Sequence, residues 1–144
     1  FGNYVIQSVI KLNNKDLIGK IVDQLIPNIL ELSKHKYSSN VVEKCFDYGD
    51  QLTLNKLITA LNDKYKVSQL ILDEHGNYVI QKILSHSGFN IQNEIFKIIA
   101  GLIPKIKAMP FGDKLISVLL NDYPQSANFF FPNSTKKKGS KMDM

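Results

Sequence analysis

Apolar residues in this chain recur at helical spacing, in blocks that repeat. In HGNYVIQKIL, from His75 to Leu84, a helical wheel at about 100° per residue gathers Val79, Ile80, Ile83 and Leu84 on one side. With Asn77 at zero, Gln81 falls at about 40°, Tyr78 at about 100° and Lys82 at about 140°, so the other side is polar. The segment FGNYVIQSVI, from Phe1 to Ile10, has the same order: Asn3, Gln7, Tyr4 and Ser8 outward, Val5, Ile6, Val9 and Ile10 inward. In SSNVVEKCF, beginning at Ser38, the outward set becomes Ser39, Glu43, Asn40 and Lys44, and the inward set Val41, Val42, Cys45 and Phe46.

Aligning Asn3, Ser39 and Asn77 gives spacings of 36 and 38 residues, and a further 36 leads to Asp113 in FGDKLISVLL. A recurrence in this range is the signature of a solenoid, in which each unit buries its apolar face against its neighbours. The punctuation repeats as well. Polar breaks at Asn13-Asn14, Tyr48-Gly49-Asp50 and Ser87-Gly88 are followed by the amphipathic stretches KDLIGKIVDQLI, LTLNKLITALND and IQNEIFKIIAGLI. Shorter helical pieces come next: NILELSKH after Pro27, KVSQLILDEH, and KIKAM after Pro104. Each unit therefore reads as short helix, motif helix, long helix, and no alternating strand pattern competes. The predicted fold class is all-α, with the first unit entered partway through its motif helix.

Composition adds less than the pattern does. The 144 residues are 44% hydrophobic, enough for a substantial core, and no apolar run approaches the roughly 18 residues a membrane span needs. The net charge of +5 would suit a polyanion, but Lys136, Lys137, Lys138 and Lys141 against Asp143 place about +3 of it in the tail, leaving about +2 on the body. A single cysteine, Cys45, excludes an internal disulfide and any CxxC metal site and fits a reducing compartment. His35, His75 and His86 lack metal-ligand spacing, and no Gly-rich phosphate loop or GxSxG turn occurs, so the sequence predicts no enzyme, no metal site and no cofactor.

The polar ladder has a definite chemical capability. A splayed uracil presents two carbonyl acceptors flanking an N–H donor, and amides both donate and accept, so Asn3 with Gln7 and Asn77 with Gln81 suit it. Guanine presents adjacent N–H donors, which the acceptor-only carboxylate of Glu43, assisted by the Ser39 hydroxyl, can receive. Tyr4 and Tyr78 offer rings, and Asn40 an amide plane, for stacking between bases. Lys34, Lys36, Lys44 and Lys82 are candidate phosphate contacts, though solvated lysines are the commoner case.

At these residues the chain resembles the Pumilio (PUF) family of RNA-binding repeat proteins, on the motifs NYVIQ, SNVVEK and NYVIQK and over Phe1 to about Tyr123. The resemblance implies a right-handed α-solenoid of three-helix repeats of about 36 residues, an ARM-like superhelix, of which this chain is the C-terminal portion. It implies base-edge contacts by Asn3 and Gln7, Ser39 and Glu43, Asn77 and Gln81, with Tyr4, Asn40 and Tyr78 stacking. RNA would run antiparallel to the protein, so Asn77, Ser39 and Asn3 would read 5′-U, G, U-3′ in that order. Residues 1–128 would be three base-reading repeats and a terminal capping unit, since FGDKLISVLL replaces the readers by Asp113, Lys114 and Ser117 and puts Val118 where the other copies have Lys or Ser. Residues 129–144 would be an extension in which Phe129, Phe130 and Phe131 fold back on the cap and KKKGSKMDM forms a disordered basic tail.

Implied by the same resemblance are a cytoplasmic monomer without membrane association, messenger-RNA 3′ untranslated regions as targets, and translational repression or decay through recruited effector proteins. The competing reading is an α-helical scaffold that binds protein, with the polar ladder serving a peptide. A peptide groove, however, needs no Ser/Glu copy between two Asn/Gln copies.

Overall fold

The computed structural model describes residues 2–133, with side chains from Tyr4 onward. Four motif helices, α1 (Gly2–Lys11), α4 (Ser38–Tyr48), α7 (Gly76–Ser85) and α10 (Gly112–Asp122), alternate with three longer helices and three shorter ones. The longer set is α2 (Lys15–Leu25), α5 (Gln51–Leu61) and α8 (Phe89–Ala100). The shorter set is α3 (Ile29–Ser33), α6 (Lys64–Ile71) and α9 (Ile103–Lys107), and α11 (Ala127–Phe130) closes the described chain after a 3₁₀ turn at Pro124–Ser126. Like packs on like: α1 on α4, α4 on α7, α2 on α5 and α3 on α6. That arrangement is the predicted all-α solenoid, and the described residues contain no strand.

Local chemistry sets the boundaries. Asn13 takes a left-handed φ of 63° and ends α1, a conformation asparagine tolerates better than most residues. Asn14, Asp50 and Asp63 each accept a backbone N–H from the third residue onward, capping α2, α5 and α6. Hydrogen bonds from the backbone and side chain of Thr53 hold the Asp50 carboxyl below its ordinary range.

The inward sets of α4 and α7 are buried as expected, Cys45 among them. In α1 only Ile10 is buried, whereas Val5 is 61% exposed and Ile6 is also exposed. Among the described elements α1 packs chiefly on α4, so nothing covers the flank that carries those two residues.

Glycine begins α7 and α10 because the motif helix starts almost on top of the preceding short helix. A Cβ on Gly76 would lie 2.8 Å from a Leu70 methyl and 2.9 Å from the Leu70 carbonyl oxygen, and one on Gly112 only 1.7 Å from the Ile106 oxygen. At the corresponding place in α4, Ser38 is accommodated by donating its hydroxyl to the Leu32 oxygen at 2.6 Å.

At the far end, Phe96 of α8 gathers Tyr123, Phe129 and Phe130 at ring separations of 5.6, 5.9 and 6.0 Å. The aromatic run thus folds back onto α8 as well as the fourth unit. The basic tail KKKGSKMDM lies outside the described residues.

Candidate nucleic-acid interface

In α4 and α7 the reading positions divide into a buried residue in the first helical turn and a partly open one a turn later. Asn77 is only 3% exposed, and its Nδ2 donates to the carbonyls of Asp73 at 2.9 Å and Glu74 at 3.0 Å. Its Oδ1 accepts from Gln81 Nε2 at 3.2 Å. Ser39, at 2% exposure, donates its hydroxyl to the Lys36 oxygen at 3.4 Å. The expected outward direction of Asn77 and Ser39 is therefore corrected. A wheel treats the helix as an isolated cylinder, but the turns leading into α4 and α7 bury Ser39 and Asn77.

The Asn77 side-chain carbonyl oxygen thus helps to orient the Gln81 amide. With one Gln81 N–H spent on Asn77, the amide presents its other N–H and its carbonyl oxygen, one donor beside one acceptor. Asp73, which the sequence reading passed over, builds the platform below. Its Oδ2 accepts the backbone N–H groups of His75 at 2.9 Å and Gly76 at 2.7 Å, opening α7 with a charge-assisted cap. The signal available in the sequence was an aspartate just before a Gly-Asn helix start.

Glu43, half-buried on α4, takes no hydrogen bond from the described residues. Burial pushes its carboxyl above the ordinary 4.5, Lys82 and Lys44 pull it down, and Asp47 adds to the rise. The carboxylate is thus partly desolvated and, among the described residues, receives no hydrogen-bond donor. Such a group gains most from a ligand that supplies N–H groups.

The stacking candidates face solvent. Tyr4 is 66% and Tyr78 50% exposed, and Asn40 is exposed with its amide 3.5 Å from the Lys36 oxygen. Gln7 is half-buried, and the Asn3 side chain lies outside the described ones. Of the candidate phosphate lysines, Lys82 is paired with Asp47 at 2.7 Å, and Lys34 donates to Gln69 of the next short helix at 3.2 Å. Lys36 lies over the Tyr37 ring, 5.4 Å from its centroid, and Lys44 is half-buried beside Glu43.

Where α10 follows α7 the ladder opens into a cleft of about 340 Å³, lined by Glu43, Tyr78, Gln81, Lys82 and Ser85 and, from the fourth unit, Leu119, Asp122 and Tyr123. A smaller one of about 90 Å³ runs between Asn77, Tyr78 and Gln81 on one side and Lys114 and Val118 on the other. Asp113, Lys114 and Ser117 are exposed, and Val118 is half-buried.

The described residues hold no group of three His, Cys, Asp or Glu that could bind a metal ion, and no helix long and apolar enough to cross a membrane. Burial pushes the Cys45 thiol up to about 12, which makes it a core residue and a poor nucleophile.

Comparison with known proteins converges on one family. The Pumilio-family RNA binding repeat matches residues 1–26, 28–61 and 66–100. Pumilio domain-containing protein C6G9.14 of Schizosaccharomyces pombe is 37% identical over 126 residues, which is 88% of this chain and 18% of that protein. Pumilio homolog 12 of Arabidopsis thaliana is 39% identical over 119 residues, 83% of this chain and 20% of that protein. The chain thus spans about a fifth of the length of these relatives. Among solved structures, the Puf3 RNA binding domain bound to a Cox17 RNA 3′ UTR recognition sequence superposes with a TM-score of 0.77 at 29% identity, covering 92% of this chain and 38% of that one. PUF-8 in complex with PBE-RNA gives 0.72 at 30% identity, covering 85% and 37%.

Proposed function

Since the chain belongs to the Pumilio family of RNA-binding repeat proteins, we propose that it binds single-stranded RNA along α1, α4 and α7 and reads 5′-UGU-3′, one base per repeat. In this reading Gln81, oriented by Asn77, takes the first U; Glu43 with Ser39 takes G; and Gln7 with Asn3 takes the second U. Tyr78, Asn40 and Tyr4 stack between bases, Lys36 and Lys44 approach phosphates, and α10 caps the solenoid without reading a base. The targets are messenger-RNA 3′ untranslated regions in the cytoplasm, and the outcome is repression or decay through recruited proteins, with no chemistry on the RNA itself.

The observation that carries the proposal is Glu43, a half-buried carboxylate without a hydrogen-bond donor among the described residues, set one unit away from an amide pair. Uracil would bring a carbonyl toward it and be repelled, whereas guanine brings two N–H groups. The test is fluorescence anisotropy with short RNAs carrying UGU, UUU, UAU or a scrambled core. Preference for UGU by roughly tenfold or more over a single middle-base change is expected, since a good bidentate base contact is worth about 1–3 kcal/mol. Equal binding of all four RNAs overturns the reading and favours a protein-binding scaffold.

A further inference from the structure

The Lys82–Asp47 ion pair lies beside the reader that selects the middle base. Asp47 follows Glu43 by four residues on α4, so the two carboxylates stand on successive turns of one helix face. Lys82 reaches over from α7 and places its ammonium 2.7 Å from Asp47 Oδ1, with both side chains about a third exposed (31% and 29%). Lys82 and Glu43 line the same cleft, and Lys82 is the strongest cation acting on Glu43, ahead of Lys44. One ammonium therefore faces two carboxylates, and its hydrogen bond goes to Asp47.

We infer that Asp47 is a positioning residue for guanine selection: by holding the Lys82 ammonium it keeps Glu43 an open, acceptor-only carboxylate toward the RNA. The inference rests on the reading of Glu43 given above. An ammonium docked on Glu43 would occupy the lone pairs that guanine's N–H groups need and would itself present N–H to the base. Guanine would then meet donors facing donors, whereas a uracil carbonyl would find a partner. Held by Asp47, Lys82 still lends Glu43 its field, which favours ionisation without blocking the oxygens. The remaining charged group lining the cleft is Asp122 of α10, the other carboxylate a freed Lys82 could approach.

The test measures binding of RNAs with G or U at the middle of UGU, together with the melting temperature, for the intact protein and three variants. In Asp47→Asn the preference for G over U is expected to fall about tenfold, the loss lying mainly on the G-containing RNA. Adding Lys82→Met to Asp47→Asn removes the competing ammonium and should restore most of the preference. The control is Asp23→Asn, which breaks the equivalent inter-unit pair with Lys56, 3.0 Å apart on α2 and α5, and should leave base preference unchanged.

An unchanged preference in Asp47→Asn overturns the inference, as does equal weakening of both RNAs or failure of Lys82→Met to restore selectivity. A change in base preference with Asp23→Asn overturns it too, because a general packing effect would then explain the result. Absence of any preference for G in the unmodified protein sinks the guanine-reading proposal and this inference with it. Preference present there but insensitive to Asp47→Asn sinks the inference alone.

Discussion

Converting the Ser39/Glu43 pair of the second unit into the Asn77/Gln81 pair of the third is a demanding test of the base-reading proposal. Ser39 and Glu43 correspond to Asn77 and Gln81, and the carbonyls that receive the Asn77 amide, those of Asp73 and Glu74, correspond to His35 and Lys36. The backbone already matches, since the Ser39 N–H bonds the His35 oxygen at 3.0 Å as the Asn77 N–H bonds the Asp73 oxygen at 3.1 Å. An asparagine at 39 therefore finds its acceptors in place, and a glutamine at 43 can donate to it as Gln81 does to Asn77. Ser39→Asn with Glu43→Gln should change the base read without costing the fold. If the original pair favours G over U by about 1–3 kcal/mol and the new pair favours U by as much, the swing is about 2–6 kcal/mol, roughly 30-fold at its lower end. Calorimetry or anisotropy with 5′-UGU and 5′-UUU RNAs reads it directly. Stability should not fall near neutral pH. Because burial raises the Glu43 carboxyl, ionisation disfavours the folded state as pH climbs from the unfolded value toward the raised folded one, and glutamine removes that cost. A variant that melts normally yet still prefers G, or that loses both RNAs equally, refutes the reasoning.

Further outcomes follow from the same geometry. Guanine preference should decline on acidification at a pH above the ordinary 4.5 of glutamate, because protonating Glu43 turns an acceptor into a donor, and Glu43→Gln should show no such decline; anisotropy across a pH series checks both. Asn77→Ala removes two side-chain bonds to backbone carbonyls and should cost about 1–2 kcal/mol in denaturant unfolding, whereas half-buried Gln81→Ala should change stability by about 0.5 kcal/mol or less. Both should weaken recognition of the first U, and equal stability losses would refute the division of roles. Gly112→Ala forces a Cβ to within 1.7 Å of the Ile106 oxygen and should cost about 3 kcal/mol, seen as a clear drop in melting temperature.

The solenoid was legible in the sequence because its determinants are local: aliphatic spacing, polar breaks and the recurrence of Asn3, Ser39 and Asn77. Helix order and class followed, whereas the aromatic run, expected on the cap, sets Phe129 and Phe130 against Phe96 of α8. What the wheel could not show lies between units. Lys82 looks like a free outward cation until Asp47, 35 residues earlier, is brought beside it, and Lys34 meets Gln69 over the same separation. Neither partner is signalled by its own helix, since each contact exists only after stacking fixes the register of neighbouring repeats. The burial of Asn77 and Ser39 escapes the wheel for a related reason, the turns that precede α4 and α7 being invisible to a single-helix projection.

That burial changes where specificity resides. A residue whose donors are committed to backbone carbonyls, as in Asn77, cannot be altered without disturbing the helix start, so its side chain is answerable to the fold before it is answerable to RNA. The residue one turn later is half-buried, with Gln81 bonded among the described residues only to Asn77 and Glu43 to none of them, and it can vary between amide and carboxylate at little structural cost. Base choice should therefore be tunable mainly at positions 43 and 81, while Asn77 sets whether the Gln81 amide is aimed. Glu43 marks the limit of that freedom. On the guanine-reading proposal, a carboxylate at this half-buried site carries a desolvation cost amides do not, and Lys82, bonded to Asp47 instead of Glu43, would favour its ionisation while leaving its oxygens open.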